Sequence, residues 1–533
     1  MRTVTILRTI LHILVAGMLF GLTCFGPAQA DWRADLERLR TTEDPDQAAH
    51  LTERIVKADP PWQEVVRELE SATFAPAGRT GEAFLDSIPC RDGEVRPYVV
   101  YLPSVYDPAR PTPLLVYLHG GVSRTDLPDD PLGYANQNPY LALAEERGWA
   151  MIYPMGQGGA TWWDKVGIEN VLAQVRRMKT RYNIDDDRVW MTGFSDGGSG
   201  SFGFAMLRPS SFAAFVPLNG HMGVANLAGE LPTFPRNLQN SALHVINTDR
   251  DGLYPAAKMR RTIEMANDAG ASLRYREYHG IGHELAYAEE ELPRIAAFLE
   301  RHPRDPFPPR IVWESADRDF GRCHWLQIAS VLPQDRAAWH TSVNSVLTDD
   351  RITIGFQADD GFEGEGVRVA SLADGESLAR DMGLEADDVI VRGGDDVSIK
   401  SLEDLNAFKA TLSRGDHVEL TVLRDGARTP LTGQLPEAGT YYLFEESDPS
   451  AAARAAFVAN RLTVETSRLG TLVFWVHPDM VQLSQELVIE INGKERFRGT
   501  IEPDLGFLLR NYLEERDRQL LYVAQIRIDL NRV

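Results

Sequence analysis

Ser195 stands at the centre of Gly193-Phe194-Ser195-Asp196-Gly197, which follows the apolar run Arg188-Val189-Trp190-Met191-Thr192 and precedes small residues able to open a helix. A Gly-x-Ser-x-Gly turn between strand and helix is so tight that only glycine fits where the two backbones approach. It presents the serine hydroxyl at the rim of a sheet. The chemistry this suits is attack on a carbonyl carbon. Five residues of common type do not decide the matter alone; the order of what surrounds them does.

An attacking hydroxyl needs a base, a carboxylate to orient that base, and donors for the oxyanion. Residues 113–118 read as a buried strand ending in His119-Gly120-Gly121, where glycines let backbone N–H groups turn toward a reacting oxygen. The N–H of Gly121 or of a neighbouring residue, together with that of Asp196, is expected to receive the oxyanion, at roughly 3 kcal/mol per donor. Downstream, a strand at 242–247 leads into Thr248-Asp249-Arg250-Asp251-Gly252, which offers two carboxylates, both also suited to turns. A last strand at 272–278 empties into His279-Gly280-Ile281-Gly282-His283-Glu284, with two histidines on one loop. Gly282 removes the steric block between His283 and Ser195. The chain order is thus nucleophile, acid, histidine, with the oxyanion segment upstream of all three.

These segments need a frame. Between about 81 and 301, apolar strand runs at 99–102, 114–118, 149–153, 188–192, 215–218, 243–247 and 273–278 alternate with helical stretches. This is the rhythm of a mostly parallel, doubly wound α/β sheet. We divide the chain into a signal peptide (1–30), an N-terminal helical segment (31–78) able to pack on the next domain, and a catalytic domain (79–302). A Pro-rich linker (303–310) follows as a stiff exit. Beyond it lie a β-rich accessory domain in two parts (311–350 and 437–533) and a distinct module (351–436) placed as an insertion between them.

The catalytic region resembles the secreted esterase and depolymerase branch of the α/β-hydrolases, including feruloyl-esterase-like and predicted-peptidase members. The residues that carry the likeness are Arg96-Pro97-Tyr98-Val99-Val100-Tyr101-Leu102-Pro103, Leu118-His119-Gly120-Gly121, Tyr182-Asn183-Ile184-Asp185 and the elbow. The resemblance implies an α/β-hydrolase fold. It favours Asp251 over Asp249 as the acid, because an apolar-Pro segment, Leu253-Tyr254-Pro255, follows, and it favours His283 over His279 as the base. It also implies substrate contacts from Trp162, Trp163 and His119.

Residues 351–435 resemble a bacterial PDZ domain. The likeness rests on Thr353-Ile354-Gly355-Phe356, Gly366-Val367-Arg368-Val369, Ala379-Arg380-Asp381-Met382-Gly383-Leu384 before Asp387-Asp388-Val389-Ile390, and the helical stretch 401–412. The resemblance implies that Ile354, Gly355 and Phe356 hold the carboxylate of a peptide C-terminus while the chain adds as a strand. Glu385-Ala386 stands where Pro-Gly is common, which alters a turn more than the groove.

Composition bounds the rest. Arg2 and Arg8 precede an apolar stretch and Ala28-Gln29-Ala30, which reads as a cleavable secretory signal and implies a secreted or periplasmic protein with no stable membrane insertion after cleavage. Removing it takes away two arginines and no acid, so a net charge of −22 becomes −24, which repels nucleic acid. Cys90 and Cys323 then remain, enough for one bridge at most, and no Cys/His spacing suggests a metal. The leading reading is a serine hydrolase for a small-molecule or polymer ester, needing no cofactor. A serine peptidase and an inactive hydrolase-fold scaffold acting through its PDZ-like module are the alternatives.

Overall fold

The computed structural model describes residues 31–530 except 230, 350, 351, 360, 374, 376, 447 and 448, so the signal-peptide expectation falls outside the described residues. The described chain opens with α1 (Trp32–Thr41), α2 (Pro45–Ala58) and α3 (Trp62–Glu70). Asp31 and Asp44 cap the first two through their carboxylates, and Pro45 starts α2 where its missing N–H costs nothing. Ala48, Leu51 and Ile55 form an apolar stripe on α2.

The next region contains β1 (Ala83–Pro89), β2 (Val95–Tyr101), β3 (Thr112–Leu118), α4 (Pro131–Gln137), α5 (Pro139–Arg147), β4 (Ala150–Pro154), α6 (Lys165–Arg181), β5 (Ile184–Phe194), α7 (Asp196–Leu207), β6 (Ala214–Leu218), α8 (Val224–Leu227), β7 (Ala242–Thr248), α9 (Ala256–Asp268), β8 (Arg274–Tyr278) and α10 (Ala288–Glu300). The eight strands form one sheet in the order β1-β2-β4-β3-β5-β6-β7-β8. Pairings from β4 through β8 are parallel, whereas β1, β2 and β4 pair antiparallel. β3, β4 and β6 are buried almost throughout because helices cover both faces, which is why their sequences are continuous apolar runs. This is a mixed, mostly parallel α/β sheet, and its parallel strands deliver β3, β5, β6 and β7 to one edge.

The accessory region begins with β9 (Arg310–Ser315), β10 (Arg322–Cys323), β11 (Leu326–Val331) and β12 (Ser345–Asp349). A module then follows with β13 (Phe356–Ala358), β14 (Val367–Leu372), α11 (Leu378–Asp381), β15 (Val389–Gly393), β16 (Val397–Ser398), α12 (Leu402–Lys409), β17 (His417–Arg424) and β18 (Ala427–Gln434). The chain returns through β19 (Gly439–Phe444), β20 (Ala451–Val458), β21 (Arg461–Ser467), β22 (Leu469–Val476), β23 (Leu487–Ile491), β24 (Lys494–Gly499), α13 (Leu505–Glu515) and β25 (Ala524–Asp529). β9 pairs with β20 and β11 with β22, so strands before and after the module share sheets, while β12 and β19 form a two-stranded ribbon at its base. Asn492 and Gly493, both at positive φ, turn β23 into β24.

Three features refine the sequence reading. The N-terminal helices bury their stripe chiefly against the far end of the chain: Leu36, Leu39, Leu51, Ile55 and Leu69 share one core with Leu508, Leu509, Tyr512, Leu521 and Val523. α13, absent from the sequence reading, supplies the apolar face they need.

The Pro-rich linker is no free spacer. Arg304 is buried within it and pairs with Asp187 at 2.9 Å and Asp517 at 2.8 Å, while Lys179 reaches Asp517 at 2.6 Å and Asp186 at 3.0 Å. This charge cluster fastens the sheet domain to the accessory region.

Cys90 and Cys323 are unbridged; the first meets Asn170 Oδ1 at 3.2 Å and the second lies in the accessory core.

Candidate active site

The elbow forms because β5 and α7 pass so close to β3 that no side chain fits between them. A Cβ on Gly193 would lie 2.6 Å from the Leu118 carbonyl oxygen, and one on Gly197 only 1.9 Å from it. Ser195 is forced to φ 60°, ψ −119°, a conformation that costs a non-glycine residue free energy and is held by its N–H bond to the Leu218 carbonyl at 3.0 Å.

The Ser195 hydroxyl lies 2.8 Å from Nε2 of His283, and Nδ1 of His283 lies 2.8 Å from Oδ2 of Asp251. Asp251 is buried. Burial alone would raise its carboxyl, but hydrogen bonds from His283, the Tyr254 N–H and Asn219 outweigh it and hold the group below the usual carboxylate range. The Leu253 and Tyr254 N–H groups both reach Oδ1 at 2.8 Å.

The two loops that carry the acid and the histidine are laced together. Asp249 N–H bonds the Tyr278 carbonyl at 3.0 Å, Arg250 N–H that of Ile281 at 3.1 Å, and Thr248 Oγ1 that of Gly282 at 2.7 Å. Asp249 is the turn former of the pair, accepting from the Gly280 N–H at 2.7 Å and facing exposed His279 at 3.1 Å.

Upstream, the loop after β3 runs directly over the serine: a Cβ on Gly120 would lie 3.4 Å from Ser195 Oγ, and Gly121 takes φ +71°. Asp196 opens α7, so its N–H has no partner inside the helix. Its carboxylate accepts the Val122 N–H at 2.9 Å and the Tyr254 hydroxyl at 3.3 Å, pinning the glycine loop beside the serine.

His119, Trp162 and Trp163 are not cleft walls. His119 is buried with both ring nitrogens used, Nδ1 against the Gly120 carbonyl at 2.7 Å and Nε2 accepting the Gly156 N–H at 3.0 Å. Burial lowers its pKa, consistent with a neutral ring. The Trp162 indole donates to the His119 carbonyl at 2.8 Å and fills the space above Gly156 and Gly200, where an added Cβ would come within 2.7 and 2.5 Å of it. Trp163 belongs to the same core. Trp162 braces the glycine loop from behind, since an indole that fills a glycine-lined gap has no face left for substrate.

Asn219, Tyr287, Tyr254 and His221 were not found from sequence. Asn219 stands just past β6 at φ 45°, and its amide donates to Asp251 at 2.8 Å and Thr248 Oγ1 at 2.7 Å while its oxygen accepts the Tyr287 hydroxyl at 2.7 Å. The Asn219-Gly220 pair at a strand end was the one available signal. His221 lies against Tyr254 with ring centroids 6.2 Å apart, and burial lowers it to about 4.

Far along the chain, Ile354, Gly355 at φ +95° and Phe356 line a groove of about 1060 Å³ whose opposite wall is Leu402, Leu405 and Lys409 of α12.

A hydroxyl bonded to an imidazole whose other nitrogen faces a buried carboxylate is able to lose its proton as it attacks a carbonyl. Among the described residues no group of three His, Cys, Asp or Glu is placed to hold a metal ion, and no helix is long and apolar enough to cross a membrane.

No family model matches the chain. It is 34% identical over 131 residues to a bifunctional acetylxylan esterase/xylanase, XynS20E, of Neocallimastix patriciarum, a stretch covering 24% of this chain and 18% of that protein. The chain therefore spans under a fifth of that relative. Similar solved structures include a thermostable esterase (TM-score 0.35, 21% identity, 42% of this chain and 64% of that one). A ferulic acid esterase (TM-score 0.35, 18% identity, 42% and 99%) is also similar. So is FphF, a fluorophosphonate-binding serine hydrolase of Staphylococcus aureus (TM-score 0.35, 18% identity, 42% and 99%). These relatives are of the esterase and serine-hydrolase type.

Proposed function

We propose that the protein is a serine hydrolase that cleaves carboxylic esters. The observation that carries this is the continuous line from Ser195 Oγ through His283 to Asp251, both links 2.8 Å long. Ser195 Oγ bonds to the carbonyl carbon as its proton passes to His283 Nε2, and Asp251 stabilises the imidazolium that results. The carbonyl π pair moves onto oxygen, where the N–H groups of Gly121 and Asp196 receive it. Collapse breaks the bond to the alcohol, which leaves with the proton from His283. Water then repeats the sequence on the acyl-serine, releasing the acid and restoring the hydroxyl.

Esters are favoured over amides by the likeness of a 131-residue stretch to part of a bifunctional acetylxylan esterase/xylanase. The groove beside α12 supports a PDZ-type module that takes a peptide C-terminus, with the N–H groups about Gly355 toward the carboxylate and β13 as the edge to which the peptide adds. The apolar segment within residues 1–30 supports export.

A fluorophosphonate probe and 4-nitrophenyl butyrate test the reading. Wild type is expected to label and to hydrolyse the ester, and Ser195→Ala to do neither, with activity down by roughly a million-fold. Equal labelling of both proteins rejects Ser195. Cleavage of a peptide library without ester turnover replaces the esterase reading with a peptidase. A panel of immobilised C-terminal peptides tests the groove, and cell fractionation tests export.

A further inference from the structure

The glycine loop over Ser195 carries a cation for which no described residue provides a counter-ion. Arg124 is exposed, and its side chain lies across Gly121: a Cβ there would sit 3.7 Å from Nε and 3.9 Å from one terminal nitrogen of the guanidinium. Gly120, the residue before, would place a Cβ 3.4 Å from the Ser195 hydroxyl, so the guanidinium covers the loop residue next to the one that faces the serine. Its backbone is fixed, since the Arg124 carbonyl accepts the Gly158 N–H at 2.6 Å. Most arginines here are paired; among the described residues Arg124 makes no ion pair.

Among the described residues no acid on or beside this loop pairs with it. Asp196 is committed to the Val122 N–H and the Tyr254 hydroxyl, Asp130 caps α4, and Asp126 and Asp129 follow on the same loop in solvent. The other nearby cation, Arg250, sits beside Asp249.

We propose that Arg124 recognises a carboxylate on the substrate, so that the preferred esters carry an anionic group in their acid or alcohol part. This rests on the serine-hydrolase reading. A chain of net charge −22 repels anions at long range, but beyond about 8 Å that field is screened at physiological salt. Inside that distance the guanidinium dominates, and its planar fork matches two carboxylate oxygens. An unpaired cation at this spot gives the site a reason to select charge.

The test uses the full chain at low salt with two anionic esters, 4-acetoxybenzoate (charge on the alcohol side) and the mono-4-nitrophenyl ester of adipic acid (charge on the acyl side), each beside its uncharged methyl ester. Wild type is expected to favour the anion by about five-fold or more in kcat/KM, chiefly through KM, in the arm whose geometry brings the carboxylate to Arg124. Added salt should erode the preference. Arg124→Gln is expected to abolish it without slowing the neutral esters, Arg124→Lys to retain part, and Arg250→Gln to leave it intact.

No preference in either arm, a preference that survives Arg124→Gln, or an equal loss in Arg250→Gln overturns the inference. Ser195-dependent turnover of the neutral esters reads the hydrolase assignment separately. Calorimetric titration of Ser195→Ala with 4-acetoxybenzoate and its methyl ester, with and without Arg124→Gln, reads charge selection even where turnover fails.

Discussion

Asn219 holds Asp251 from the neighbouring strand: its Nδ2 donates to Oδ2 at 2.8 Å, the same carboxylate oxygen that faces His283. The acid is thus fixed by an amide that is itself oriented by Tyr287. Replacing Asn219 with Ala removes the donor and places Ala at a positive φ, so kcat/KM on a neutral ester is expected to fall about ten-fold, as for other buried hydrogen bonds to charge. Tyr287→Phe should give a smaller loss in the same direction. A fall in folding stability of either variant without a fall in kcat would remove this role.

Trp162 should behave as packing. Trp162→Ala is expected to cost about 3–5 kcal/mol in urea unfolding. The more conservative Trp162→Phe should leave KM for small esters near wild type while lowering stability. A large rise in KM with unchanged stability would return the indole to the substrate cleft.

Asp517 ties three segments together. Burial would raise its carboxyl, but Arg304 and Lys179 outweigh that and hold it far below the usual range. A carboxyl depressed on folding contributes stability that is present above its unfolded value, about 3.9, and is lost as pH falls below it. Asp517→Asn leaves two buried cations short of a partner, and a loss of about 3 kcal/mol or more is expected at neutral pH. Denaturant titration of wild type and variant at pH 7 and pH 3 should show the gap narrowing at the lower pH.

Three buried histidines set a second window. Burial lowers His221 to about 4 and His324 and His477 to about 3. Unfolded histidines take up protons near 6.5, so below that pH the unfolded chain binds more protons and stability falls. Each group contributes a slope of at most about 1.4 kcal/mol per pH unit until its folded value is reached. The melting temperature should be level above pH 7 and decline from pH 6.5 toward 4, with a shallower decline in His324→Gln.

The strands of the mixed sheet were readable because buried parallel strands are continuous apolar runs, as at 114–118 and 243–247. β1 was missed because its exposed and half-buried residues alternate without a strong apolar run. Ser195 and the two loops that face it were legible through glycines, whose spacing records where backbones touch. Asn219 and Tyr287 were not, since a polar residue gains its meaning from what lies across the sheet. The tryptophans misled because an indole beside glycines looks the same whether it lines a cleft or fills a gap. Which of two similar carboxylates faces the imidazole, Asp249 or Asp251, depends on a turn of two residues, and there the coordinates place Asp251 under His283.

Because α1, α2 and α3 share their core with Leu508, Leu509 and Tyr512, and Arg516 caps α1 by donating to the carbonyls of Leu39, Arg40 and Thr42, these helices lack most of their apolar partner surface until the segment near residue 510 is made. Until then their apolar stripe stays exposed. A frameshift or nick near residue 500 would therefore be felt at residue 50, far from the break in sequence and beside it in space.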